Sequence, residues 1–362
     1  MATTGVLKNV QILRAAAAYL VVLYHARLLT PVGEAVSFDF GNAGVDIFFL
    51  ISGFIIAHVS RSDDVGRPGA FLLKRVIRVV PLYWVLTLML FVVAQRAPAL
   101  AGAGGRPDLA MLAKSLFFVP YLDGSGAMHP VLFMGWTLDY EMFFYLVFGA
   151  ALLIRAELPR LLAVSATLGS LAMIGLVTHP QGVVAQTYTD MLMLEFVVGL
   201  WLNRAYRSLP AHLPRHVPPL LLAAALGAVV ILAAGDVLWP QLPREVKWGL
   251  PAIVLVASTL ALERGGATIG WRWLMLVGEA SYTIYLTHPF LIKLVSVAYQ
   301  RLHIVAMPLH VAALIGLYLL VGLVGIATHL IVEKPLTRWL RHRFLPRARP
   351  SIATGDPLPL AT

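Results

Sequence analysis

Residues 9–29 read NVQILRAAAAYLVVLYHARLL, an apolar stretch with an arginine, Arg14, near its start and a histidine, His25, near its end. In a helix, the eleven-residue step between them turns about 1,100°, three full turns plus about 20°, and rises about 16 Å. Arg14 and His25 therefore share one face, about half a hydrocarbon thickness apart. Ionisable groups inside a spanning helix are costly, and they face a bundle interior or an aqueous cavity. Alone, Arg14 could snorkel to a headgroup and His25 could bond a neighbouring helix. As a pair on one face they favour a functional reading.

The rest of the chain fits a helix of this kind. Its 362 residues are 59% hydrophobic and only 13% charged, outside the range of soluble domains, where charge is near a quarter. The net charge of +10 would suit nucleic acid, but the basic residues gather between apolar runs and in the tail from Lys334 to Arg349. That is the pattern of positive-inside topology, so nucleic acid is not an expected partner and membrane lipid is. There is no cysteine, which removes disulfides, thiolate metal sites and an acyl-cysteine mechanism. No small-residue cleavage site follows a basic start, so the first run is expected to remain as a helix.

Ten apolar runs are long enough to span, near 11–29, 42–60, 77–95, 134–154, 161–177, 185–203, 218–235, 248–263, 273–297 and 308–332. The expected fold class is all-α, a polytopic bundle of about ten spanning helices. With the N-terminus inside, Arg61, Arg67, Lys74, Arg75, Arg155, Arg160, Arg204, Arg207, Arg215, Arg264, Arg272 and the tail fall on the cytoplasmic side. Arg96, Arg106, Lys114, Arg244, Lys247 and Arg301 fall on the other. Both termini are thus expected in the cytoplasm, with the chain in the inner membrane. The weakest part of the map is 98–130, where Leu109 to Val119 is too short to span and reads as interfacial or re-entrant. Residues 1–345 are expected to form one membrane domain and 346–362 a short disordered cytoplasmic tail.

Four further stretches carry charge into apolar surroundings. GNAGVDIFFLISGFIIAH places Asp46 in hydrocarbon, where a lone carboxylate needs a partner, and His25 is one candidate. Ser52 and Gly53 in the same run read first as a close-packing motif. FLLKRVIRVVPLYW sets Lys74, Arg75 and Arg78 within two turns, a cluster able to grip phosphate through charge-assisted bonds, with Pro81 interrupting the backbone ladder beside it. A single cation there would be only a topology flank. GWTLDYEMFFYLVF holds Asp139 near a helix start, where the dipole favours it, and Glu141 deeper. Glu141 is flanked by Tyr140 and Tyr145, with Trp136 one turn back. EASYTIYLTHPFLI adds Tyr285 and His288, the latter before Pro289. Trp136, Tyr140, Tyr145, Tyr285 and His288 are the candidates for substrate contact. The histidines do not fall at zinc spacings, and no Walker loop, dinucleotide fingerprint or GxSxG elbow is present.

In this order, LRAAAAYLVVLYH, GVDIFFLISGFII, RVIRVVPLYW, WTLDYEMFFYLVF and SYTIYLTHP resemble the integral-membrane acyltransferase family 3, over roughly Asn9 to Arg343. The family includes O-acetyltransferases acting on exopolysaccharide, O-antigen, nodulation factors and macrolides. The resemblance implies a ten-helix enzyme that takes a short acyl group from cytoplasmic acyl-CoA, a co-substrate with no permanently bound cofactor. The acceptor it implies is a hydroxyl of a cell-surface glycan or its lipid-linked precursor. The family's first-helix arginine and histidine match Arg14 and His25, its paired arginines Arg75 and Arg78, and its glutamate Glu141. Some members append a soluble SGNH esterase-like domain. Without one, transfer is expected to finish in the membrane domain or to pass acyl to a separate protein.

On this reading Arg14, Lys74, Arg75 and Arg78 bind acyl-CoA, and His25 acts as general base, as suits an imidazole of ordinary pKa near 6.5. Glu141 or Asp46 would orient it. The competing reading is a transporter or flippase of a lipid-linked sugar, which would show no CoA dependence. A purely packing scaffold is disfavoured by the cost of burying Arg14, Asp46 and Glu141.

Overall fold

A computed structural model describes residues 6–29, 39–60, 64–97, 105–302 and 307–345; the expected tail, 346–362, lies outside the described residues. Among them all regular structure is helical, and every one of the ten apolar runs is occupied by helix. Helix α1 is Lys8–Ala26, α2 Ala43–Val59, α3 Pro68–Arg96, α4 Leu109–Leu116 and α5 Trp136–Ala151. Then come α6 Glu157–Thr178, α7 Val183–Tyr188, α8 Met193–Ser208, α9 Val217–Leu238 and α10 Leu250–Arg264. The series closes with α11 Arg272–Glu279, α12 Ser281–Arg301, α13 Met307–Thr328 and α14 Lys334–Phe344.

Seven stretches are long and apolar enough to cross a membrane, Asp39–Val59, Pro68–Arg96, Glu157–Thr178, Val183–Ser208, Val217–Leu238, Glu245–Arg264 and Met307–Phe344. The three expected spans outside that set, α1, α5 and α12, hold Arg14, His25, Glu141 and His288. They are the polar interior of the bundle. Helix α1 packs on α2, α10, α11 and α12, so protein rather than lipid surrounds it and its polar face is tolerated. At the periphery, α9 is only 17% buried and exposes Leu220, Leu222, Leu226 and Val230, as lipid-facing helices do. The chain is a multi-pass membrane protein.

Proline and polar residues act as the sequence suggests only in part. Helices α3 and α12 run continuously through Pro81 and Pro289. The 185–203 run is broken between α7 and α8, where the Asp190 carboxylate accepts from the Leu192 amide at 2.8 Å and so diverts the backbone from the helix. Helix α4 is eight residues, about 12 Å, too short to span. It is capped by Asp108 and tied to α3 by the Trp84 indole, which donates to the Leu116 carbonyl at 2.8 Å.

Helices α2 and α8 cross at backbone contact. A Cβ at Gly53 would lie 2.1 Å from the Phe196 carbonyl oxygen, and one at Gly199 2.2 Å from that of Leu50. Since backbone cannot yield as a side chain can, Gly199→Ala is expected to lower stability by about 1–3 kcal/mol. Gly227→Ala on α9, where nothing lies within 4 Å, should leave the melting temperature unchanged or slightly raised. A thermal melt of both purified variants checks the pair.

Candidate active site

Three cavities cluster around α1. The first, about 350 Å³, is lined by Arg14 of α1, Ser52 of α2, Arg75 and Arg78 of α3, Glu141 and Tyr145 of α5, and Tyr282 and Tyr285 of α12. The helical spacing of α3 puts both arginines on one side, and α5 brings its carboxylate to meet them. Glu141 accepts from the Ser52 hydroxyl at 2.7 Å and from the Tyr145 hydroxyl one turn away. Ser52 thus does more than pack: it fixes the carboxylate while Gly53 makes the helix contact. Arg75 is 8% exposed, with its guanidinium 5.3 Å from the Phe71 ring, so it is held in place by burial. Lys74 points elsewhere, to Asp64 at 2.5 Å, and does not line this cavity.

The second cavity, about 610 Å³, opens at the other end of α1 and holds His25 with Tyr24, Arg27, Asp123, His129, Phe133, Trp136 and Arg244. Val45 and Tyr285 line both cavities, so their side chains form the wall between them. Tyr285 is fixed there by Thr137, hydroxyl to hydroxyl at 2.7 Å, and by the Met134 carbonyl at 3.2 Å. At the rim, Asp123 meets His129 at 3.1 Å. Partial burial opposes ionisation of Asp123, but bonds from the Ser125 hydroxyl, the Ser125 and Ala127 amides and His129 hold its carboxyl below the usual carboxylate range.

The hydrogen bonds around His25 settle its tautomer. Its Nδ1 lies 2.8 Å from the Val21 carbonyl oxygen, which can only accept, so Nδ1 carries the proton and Nε2 keeps its lone pair. His288 stands behind it. The His288 Nδ1 faces the Ile284 carbonyl at 3.3 Å and must donate, which leaves its Nε2 to accept from His25 Nδ1 at 3.3 Å. The ring edge of Phe133, with centroids 5.3 Å apart, completes the setting. Such a neutral imidazole presents a base at Nε2 and has two acceptors ready for the imidazolium proton at Nδ1.

No carboxylate bonds to His25 among the described residues. Glu141 is committed to Ser52 and Tyr145. Asp46, fully buried, accepts from Arg244 at 2.6 Å, and Glu195 is its close neighbour. Arg244 must take Asp46 because a buried carboxylate pair needs a cation. The expected histidine and carboxylate pair is replaced by His25 and His288. Among the aromatic candidates, Tyr145 and Tyr285 line the first cavity, Trp136 lines the second, and Tyr140 packs against Trp136 and donates to Asp190 at 3.1 Å. Tyr121, Asp123, His129, Phe133 and Arg244 line the second cavity without having been site candidates in sequence. The paired His129 and Asp123 beside Trp136 were the available signal.

His288 lines none of the three cavities, so any action of it would run through His25. His288→Phe is expected to lower kcat about tenfold, the scale of one hydrogen bond, with donor KM unchanged. Partial rescue by His288→Gln, which restores an acceptor, would separate orientation from packing.

Comparison with known proteins agrees in kind. The exopolysaccharide production protein ExoZ of Rhizobium meliloti (strain 1021) is 37% identical over 312 residues, 84% of this chain and 92% of ExoZ. Acyltransferase MdmB of Streptomyces mycarofaciens is 28% identical over 350 residues, 88% of this chain and 85% of MdmB. YrhL of Bacillus subtilis (strain 168), which carries the name of a peptidoglycan O-acetyltransferase, is 25% identical over 306 residues, 76% of this chain but 47% of YrhL. No solved structure matches. The profile of the acyltransferase domain, of the acyltransferase 3 type, matches residues 7–328 and so takes in both cavities and the wall between them. The chain therefore belongs to that family, and it is an enzyme, a membrane acyltransferase acting on groups other than aminoacyl ones.

Proposed function

We propose that this enzyme moves an acetyl or other short acyl group from acyl-CoA, bound on the cytoplasmic side, to a hydroxyl of a surface polysaccharide or its lipid-linked precursor. One observation carries the reading: the arginine cavity and the His25 cavity lie at opposite ends of α1 and share Val45 and Tyr285 in their walls. A phosphate-bearing donor suits the first, whose cations are Arg14, Arg75 and Arg78. A glycan suits the second, lined by Trp136, Tyr24 and Phe133 beside polar Asp123 and His129. The exopolysaccharide and the peptidoglycan that two relatives' names carry are glycans of that class.

The step this would run is balanced within the site. With the acyl end of the donor reaching past Val45 and Tyr285, His25 Nε2 takes the proton of the acceptor hydroxyl as its oxygen attacks the thioester carbonyl. The tetrahedral intermediate collapses with breakage of the carbon–sulfur bond, and the imidazolium returns its proton to the departing thiolate. Ester and free CoA are the products. Mass spectrometry of surface glycans from a deletion strain tests the reading: loss of one acyl mass from a polysaccharide is expected. An unchanged acylation profile would overturn it.

The topology follows from the same placement. The Arg14 end of α1 and the last helix border one cavity, so the start and end of the domain lie at the same end of the bundle. With the basic excess inside, reporter fusions at residue 8 and after Leu345 should both read cytoplasmic. A reporter that reads outside at either point would put the donor cavity on the wrong face.

A further inference from the structure

A π-helical segment, His329–Glu333, joins α13 to α14, so one helix runs from Met307 to Phe344. Its end, KPLTRWLRHRF, is polar, and Lys334, Arg338 and Arg341 lie at steps of four and three on one face. That face borders the third cavity, about 580 Å³, whose other walls include Arg14 of α1 and Arg78 of α3. Two carboxylates also line it, of which Glu333 is bonded to His329 and Glu279 stands near the same ring. His329 Nδ1 is 2.7 Å from Glu333, and its Nε2 is 3.9 Å from Glu279. Among the described residues none of the five cations, Arg14, Arg78, Lys334, Arg338 and Arg341, is ion-paired.

A topology flank needs positive charge near the headgroups, not cations converging from three helices on a concavity. Convergence of this kind, in which cations outnumber the carboxylates beside them and none is ion-paired, suits a ligand with several phosphate oxygens. Arg14 and Arg78 line this cavity and the donor cavity alike, so the two spaces meet at those side chains. The ligand that fits both has phosphates at one end and an uncharged arm at the other.

We infer that α14 and the cavity beside it hold the nucleotide end of the acyl donor, a 3′-phosphorylated adenosine diphosphate, with Arg338 and Arg341 on its phosphates and Arg14 and Arg78 at the junction with the acyl-bearing arm. This rests on acyl-CoA being the donor. The phosphomonoester alone carries a charge of about −2, so two arginines have a partner that an acyl-pantetheine lacks.

The test compares acetyl-CoA with S-acetyl-pantetheine, which has the same thioester and no nucleotide. The protein is held in nanodiscs of zwitterionic lipid, with polysaccharide from the deletion strain as acceptor. In the double variant Arg338→Gln, Arg341→Gln, the KM for acetyl-CoA should rise about tenfold or more, and inhibition by 3′,5′-ADP should weaken in parallel. The KM for S-acetyl-pantetheine should hold. An unchanged acetyl-CoA KM, or an equal loss with both donors, would overturn the inference while leaving CoA as donor. A difference seen only when anionic lipid is added would mark a headgroup site and overturn it too. A folded native protein that uses S-acetyl-pantetheine and no CoA thioester would refute the donor reading itself.

Discussion

Replacing His25 by alanine leaves a folded protein that still binds acyl-CoA and turns over about 10²- to 10⁴-fold more slowly, the range lost with a general base. The expectation comes from where its bonds lie. His25 Nδ1 is occupied by the Val21 carbonyl and His288, so the lone pair that remains is at Nε2, in a ring that lines the second cavity. The arginines of the first cavity lie toward the other end of α1, about 16 Å away at Arg14, and do not depend on His25. A merely structural histidine would behave differently, losing thermal stability along with turnover. A melt and a CoA-binding measurement on the same preparation tell the two apart. If His25→Ala is well folded and transfers at a near-normal rate, the base lies elsewhere, and Glu141, beside the arginines, is the next residue to substitute.

The double variant Arg75→Ala, Arg78→Ala should weaken acyl-CoA binding about 100-fold or more. Each charge-assisted bond contributes about 1.5–3 kcal/mol, and two are removed together. Arg75 is buried near Glu141, so its loss also leaves a carboxylate with less compensation, and the protein could lose stability as well. Arg78→Ala alone guards against that confusion, because Arg78 is only half-buried and lines the cavity without filling the core. Isothermal titration with CoA on both variants checks the expectation. Unchanged affinity in the folded double variant would return these cations to a topology role.

Much of the bundle is legible in the sequence because lipid imposes length and apolarity on its spans, and each of the ten runs holds helix, though 185–203 and 273–297 are each divided between two helices. Spacing within one helix is legible too: Arg75 and Arg78, neighbours by the helical rule, line one cavity together, while Arg14 and His25 of α1 line different ones. Contacts between distant helices are another matter. His25 meets His288 across 263 residues of sequence, and Asp46 meets Arg244 across 198. Nothing in either local run says which partner the packing will supply, so a carboxylate beside His25 was a reasonable expectation that the bundle does not meet. Ser52 shows the same limit. Its neighbour Gly53 reads correctly as a packing position, but the bond to Glu141 depends on how α5 is set against α2. The break at Asp190 was readable in principle, since an aspartate inside an apolar run can cap its own backbone.

The central claim is that acyl donor and acceptor enter from opposite ends of α1. It is tested most directly in sealed proteoliposomes with the protein oriented one way, labelled acetyl-CoA confined to the Arg14 side and polysaccharide from the deletion strain confined to the His25 side. Label appearing on the polysaccharide, and absent with His25→Ala, is the predicted result. Transfer that occurs only when both substrates are supplied on the same side would contradict it.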